Sequence, residues 1–180
     1  MKPSAKQICA ILLDCGDTLA DERTEVKDGR GVTLKADLIP GAAQMVRSIQ
    51  ALGYPLGLVA DGPTDTFRNI LTQHGLFDCF DCFAISEQGG VDKPDRLMFV
   101  TALDRLGIRE SDYPRVVMVG NNLARDIKGA NALGLISVFL CWSDKRTHVP
   151  ADPGEWPAYT IRRPMELLSV IDALEFRKSL

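Results

Sequence analysis

A chain of 180 residues that is 46% hydrophobic carries enough apolar side chains for one sizeable core, so a single domain over 1–180 is expected. Its 21 basic and 24 acidic residues leave a net charge of −3, which argues against nucleic acid or an anionic membrane surface as a partner. No run approaches about 18 apolar residues, and the apolar stretch near the N-terminus is halted by Asp14 before it has signal-peptide length. Five cysteines is an odd count without a secreted pattern, so a reducing, cytoplasmic location is expected.

In chain order, 8–13 reads as a short buried strand that ends on Asp14 and runs at once into the turn Cys15-Gly16-Asp17-Thr18. Residues 20–39 interrupt the pattern, and Asp28-Gly29 between Val26 and Val32 suggests a small β-hairpin projecting over the tip of that strand. Helical spacing follows at 41–52, 64–74, 95–106 and 123–133, alternating with strands at 55–60, 82–85, 115–119 and 135–140. Pro40-Gly41 and Gly62-Pro63 mark helix starts, while Gly53, Gly75, Gly107 and Gly134 sit where helices end. A Pro-containing tail, 143–160, leads to a terminal helix near 164–176. This alternation predicts an α/β fold, a Rossmann-like three-layer sandwich around a parallel sheet, with a flap at 20–39 and no large cap domain.

In such sheets ligands bind just outside the carboxyl ends of the strands. A carboxylate at the Asp14 position is therefore a candidate nucleophile or metal ligand, the plain alternative being an Asp that caps a turn. Cys79 and Cys82 have CxxC spacing but no second pair, which favours packing over metal binding. His74 is placed to cap a helix C-terminus, His148 has no visible partner, and Arg162-Arg163 reads as a solvated pair. At least one of Trp142 and Trp156 is expected to pin the tail.

Three groups of residues make a more specific pattern: Asp14 with Thr18; Lys93-Pro94-Asp95 with Phe99; and the run Val116 to Gly120 with Asp126 and Gly129-Ala130. In this order and spacing they resemble the motifs of the haloacid dehalogenase-like hydrolase superfamily over most of 8–140. The resemblance implies phosphoryl transfer through an aspartyl-phosphate, with Asp14 as nucleophile, Lys93 as fixed positive charge and Asp17 as a further catalytic candidate. It implies Mg²⁺ held by Asp14, the carbonyl of Gly16, Asn121 and Asp126. It also gathers Thr18, Ala60, Asp61, Gly62 and Lys93 around the phosphate.

Three positions depart from that pattern. Gly16 stands where the family's acid/base aspartate is usual, a loss that typically costs about 10²–10⁴-fold. Asp17 compensates only if the turn is unusual. Ala60 replaces a phosphate-binding hydroxyl, which Thr64 or Thr66 can restore, and Asp61 adds negative charge; the N-terminus of the helix at 64 offers N–H groups to an anion. Asn121 replaces an acidic metal ligand with a neutral one. The expected activity is a slow or specialised Mg²⁺-dependent phosphatase, the alternative being a non-catalytic relative that binds a phosphorylated ligand or partner. A capless, open site suits a phosphorylated macromolecule, or a phosphorylated small molecule enclosed by a homo-oligomer, and argues against dehalogenation.

Overall fold

The computed structural model of the protein describes residues 6–176. The elements run β1 (Ala10–Leu13), β2 (Val26–Lys27), β3 (Thr33–Lys35), α1 (Ala42–Ala51), β4 (Leu56–Ala60), α2 (Thr64–Gln73) and β5 (Cys82–Ile85). They continue α3 (Ser86–Gly89), α4 (Arg96–Arg105), β6 (Val116–Gly120), α5 (Lys128–Ala132), β7 (Ile136–Leu140), β8 (Tyr159–Ile161) and α6 (Glu166–Phe176). Among the described residues the main sheet has six strands in the order β5-β4-β1-β6-β7-β8, every pair parallel.

Alternation along β1 assigns the two faces. Ile11 and Leu13 join Met45 and Ile49 of α1, Phe67 and Ile70 of α2, and Leu167 and Ile171 of α6. Ala10 and Leu12 face the other way, onto Phe99 and Leu103 of α4 and Ala130 of α5. Both faces of the sheet are thus covered, as the apolar runs of a parallel sheet require. Gly129 lets the second layer close, because a Cβ there would overlap the fully buried ring of Phe99. The four glycines after the helices all adopt the left-handed conformation, with φ between 62° and 71°.

Two details differ from the sequence expectation. The tail contains a sixth strand: Tyr159–Ile161 pairs with β7, and Cys141 N–H donates to Ile161 O at 2.8 Å. Three residues beyond a Pro-rich stretch are too few to show a period. The segment 123–133 is one turn of π-helix, Leu123–Ile127, before α5. Asn122 causes it, since its carbonyl receives the N–H groups of Arg125, Asp126 and Ile127 while its side chain accepts from Ala124.

The hairpin β2–β3 turns at Asp28, whose carboxylate accepts the N–H groups of Arg30 and Val32, both at 2.9 Å. Its free edge is satisfied by side chains of α2. Thr66 Oγ1 accepts from Thr33 N–H at 2.9 Å, Asn69 Nδ2 donates to Thr33 O at 2.9 Å, and Gln73 bonds both backbone groups of Ala36. Residues 66, 69 and 73 lie on one helical face, so α2 serves β3 as a neighbouring strand would. His74, at the C-terminal cap of α2, adds a 2.8 Å contact to Ala36 O. No helix among the described residues is long and apolar enough to cross a membrane.

Candidate active site

The topology brings the carboxyl ends of β1, β4 and β6 side by side, and Asp14, Asp61 and Asn121 follow directly from them. β1 is the point where successive connections diverge to opposite sides, the usual location of a binding crevice. A cavity of about 200 Å³ lies there, lined by Asp14, Gly16, Asp61, Gly62, Lys93, Asn121 and Asp126, among others.

Lys93 is the centre of the site. Its side chain is 2% exposed, and Nζ donates to Asp14 Oδ1 at 2.7 Å and to Val59 O at 2.8 Å. Asp126 Oδ1 lies 2.7 Å from the same nitrogen. The backbone N–H of Lys93 donates to Asp61 Oδ1 at 2.9 Å, so the residue is held at both ends. Burial opposes the ammonium charge, but Asp126 and Asp14 outweigh it and hold the Lys93 pKa above its ordinary value. Burial also pushes the Asp126 carboxyl above its ordinary value, against the pull of Lys93. One cation thus serves two buried carboxylates.

Asp14 N–H donates to Val119 O at 3.0 Å, and the fully buried Thr18 donates its hydroxyl to Asp14 Oδ2 at 3.2 Å. Asp126 Oδ2 accepts from Asn122 N–H at 2.9 Å, and Asp126 Oδ1 has the Lys93 ammonium as its close partner. Gly120 makes room for that carboxylate, since a Cβ there would overlap it. The groups gathered here, the Asp14 and Asp126 carboxylates, the Asn121 amide and the Gly16 loop, offer oxygen donors, which suits a hard, oxygen-binding cation such as Mg²⁺. Among the described residues no cluster holds three or more His, Cys, Asp or Glu at metal-binding positions, so such a site leans on neutral oxygens.

The remaining expectations divide. Thr18 stands behind Asp14, and Ala60 is buried outside the cavity wall. Asp17 has an unusual left-handed conformation, φ 46°, but the turn aims its carboxylate at the Glu22 N–H, 3.1 Å away, and it does not line the cavity. The charge of Asp61 is taken up by the Lys93 N–H and by Arg125 at 3.0 Å, which offsets the repulsion expected from it. Gly62 and Thr64 N–H are committed to Ser86 Oγ and Glu87 Oε2, so those two groups are spent. Thr66, not Thr64, reaches the cavity.

Other residues in the cavity wall came with no sequence signal: Glu22, Glu25 and Thr33 from the flap region, Arg125, and Arg146 from the tail. His148 does have partners, Cys141 Sγ at 3.2 Å and Ser143 O at 2.9 Å. Trp142 packs against the core and pins the tail, whereas Trp156 is exposed. Arg163 pairs with Glu166 on the surface, and Cys79 and Cys82 are unbonded thiols.

The family model for haloacid dehalogenase-like hydrolases matches residues 16–134. The chain belongs to that family. This haloacid dehalogenase-like hydrolase is 33% identical over 138 residues to a glyceraldehyde 3-phosphate phosphatase of Methanopyrus kandleri, covering 77% of this chain and 56% of the relative. It is 33% identical over 129 residues to the pyrimidine 5'-nucleotidase YjjG of Escherichia coli, covering 72% and 54%. The chain therefore spans about half the length of the curated relatives it matches. The solved structure of the putative hydrolase YfnB from Bacillus subtilis superposes with a TM-score of 0.74, covering 93% of this chain and 100% of the other. At 20% identity, that likeness concerns the fold.

Proposed function

We propose that this haloacid dehalogenase-like hydrolase is a Mg²⁺-dependent phosphatase that transfers a phosphoryl group to Asp14 and releases it to water. The observation that carries the reading is the buried Asp14–Lys93–Asp126 arrangement at the strand tips. A carboxylate attacking a phosphate ester meets an anion, so the reaction needs positive charge fixed in place beforehand. Lys93 is held at its backbone and its ammonium, so it is preorganised for that task. Thr18 orients Asp14, and Thr66 Oγ1, having accepted the Thr33 N–H, retains its own proton for a phosphate oxygen. Asp14, Asp126, the Asn121 amide oxygen and the Gly16 carbonyl would hold Mg²⁺, which supplies charge neutralisation at the phosphate.

The names of the Methanopyrus and Escherichia relatives support small phosphorylated molecules as the substrate class, and the five unbonded cysteines suit a cytoplasmic setting. The test is phosphate release from 4-nitrophenyl phosphate with MgCl₂, wild type against Asp14→Asn. Turnover that survives in Asp14→Asn would refute the assignment. Mg²⁺ with beryllofluoride, an aspartyl-phosphate mimic, should stabilise the wild type by about 2.7 kcal/mol at about a hundred times its dissociation constant, and not stabilise Asp14→Asn. The neutral Asn121 and the missing hydroxyl at Ala60 favour a second reading, a non-catalytic phosphate-binding protein, which predicts ligand stabilisation with no phosphate release.

A further inference from the structure

Gly16 is the hole in the cavity floor, and a side chain from elsewhere fills it. A Cβ built on Gly16 would overlap Glu22 Oε1, with Glu22 Cδ at 3.1 Å and Cγ at 3.3 Å. The Glu22 carboxylate therefore lies against the loop two residues beyond Asp14, in the cavity that both residues line. Its placement is built locally. Asp17 accepts the Glu22 N–H, Asp21 caps the short 3₁₀ turn Glu22–Thr24, and Asp21 N–H donates to Asp37 O at 2.9 Å. Asp17, fully buried and in a strained conformation, is thus a positioning residue for Glu22.

Five carboxylates line the cavity, and four are already engaged by close partners. Asp14 and Asp126 share Lys93, Asp61 is bound by the Lys93 N–H and Arg125, and Glu25 accepts the Thr33 hydroxyl at 2.9 Å and pairs with Lys27 at 2.8 Å. Glu22 has only longer contacts, Lys145 Nζ at 3.4 Å and Arg146 Nη2 at 3.8 Å, and its side chain remains 27% exposed. Its partial exposure leaves the carboxylate a route to solvent.

We infer that Glu22 is the general base for the second half of the reaction, taking a proton from the water that cleaves the Asp14 acyl phosphate. This rests on the phosphoryl-transfer reading above. In that step the water oxygen bonds to phosphorus, the bond between phosphorus and the Asp14 oxygen breaks, and one water proton passes to a Glu22 oxygen. Inorganic phosphate leaves, the Asp14 carboxylate is restored, and Glu22 returns its proton to solvent.

4-Nitrophenyl phosphate isolates this step, because its leaving group departs as a stable phenolate and needs no acid. With MgCl₂, Glu22→Gln should lower kcat by about 10²–10⁴-fold. It should also accumulate enzyme heavier by one phosphoryl group on Asp14, seen by mass spectrometry after acid quench, while an initial burst of nitrophenolate persists. Stabilisation by Mg²⁺ and beryllofluoride should remain, which certifies an intact site. Glu22→Ala should be partly rescued by adding Gly16→Asp, whose carboxylate would enter the vacated space. If Glu22→Gln turns over like an Asp14-dependent wild type, Glu22 is not the base and phosphoryl transfer stands. A slow Glu22→Gln without trapped phosphoenzyme also overturns the inference. If the wild type itself releases no phosphate through Asp14, the phosphoryl-transfer reading falls and this one with it.

Discussion

The floor of the cavity, at the tips of β1, β4 and β6, is held by parallel-strand register and by one buried lysine. Its roof, the flap region together with 143–149, is held by side-chain hydrogen bonds from α2 and by half-exposed ion pairs from Lys145 and Arg146. The floor contains groups whose removal strands buried charge, whereas the roof is held by neutral hydrogen bonds and by ion pairs that solvent reaches. Chemistry that needs fixed charge belongs on the floor. A group that must exchange a proton with solvent can sit under the roof, as Glu22 does.

The sharpest test of that division is Lys93→Met. It leaves Asp14 and Asp126 facing one another without their shared cation, and breaking a buried pair in this way costs about 3–5 kcal/mol. Urea denaturation measures it, and a loss under about 1 kcal/mol would mean that the lysine is no keystone of the floor. Gly120→Ala comes next. Its Cβ would press on the Asp126 carboxylate, and overpacking of this kind costs about 1–3 kcal/mol. An unchanged midpoint would show that Asp126 has room to move.

The floor was also the part legible in the sequence. Asp14 ends an apolar run, Lys93 stands next to a proline at the expected separation, and Asp126 follows Gly120 at motif spacing, so strand ends and local motifs carried the information. The roof left no such trace. Glu22 is held at the cavity because Asp17, at φ 46°, accepts its N–H and Asp21 caps the 3₁₀ turn that follows, and neither event has a period. Arg146 arrives from a tail whose anchoring strand, Tyr159–Ile161, is three residues long. The sequence marks Gly16 as a position without a side chain, but a sequence cannot display what occupies the space left behind.

The scaffold behind both regions gives a pH-dependent control. Glu175 on α6 accepts the N–H groups of Gln7 at 2.7 Å and Ile8 at 3.1 Å, and the Tyr54 hydroxyl at 2.8 Å. Partial burial works against its charge, but those donors hold its pKa below the ordinary 4.5. A depressed carboxyl contributes stability that is complete above the unfolded pKa and is lost as pH falls through the folded one. Glu175→Gln should therefore cost about 1–2 kcal/mol at pH 7, with the gap to wild type closing on acidification below pH 4.5. A gap that widens with acid would reverse the sign and rule out this account.

Asn69→Ala is the mildest perturbation and the most direct probe of the roof. It removes the bond from Asn69 Nδ2 to Thr33 O, one of the bonds with which α2 replaces a neighbouring strand for β3. A neutral hydrogen bond of this kind contributes about 0.5–1.5 kcal/mol. Because Thr33 also keeps its bond to Thr66, the loss should appear as local opening and not as global unfolding. Amide hydrogen exchange should accelerate at residues 26–35 and stay unchanged in β1 and β6. Equal acceleration in the flap and in the central strands would show that roof and floor open as one unit. The separation between fixed charge below and neutral hydrogen bonds and exposed ion pairs above would then be a feature of the geometry alone, without an energetic counterpart.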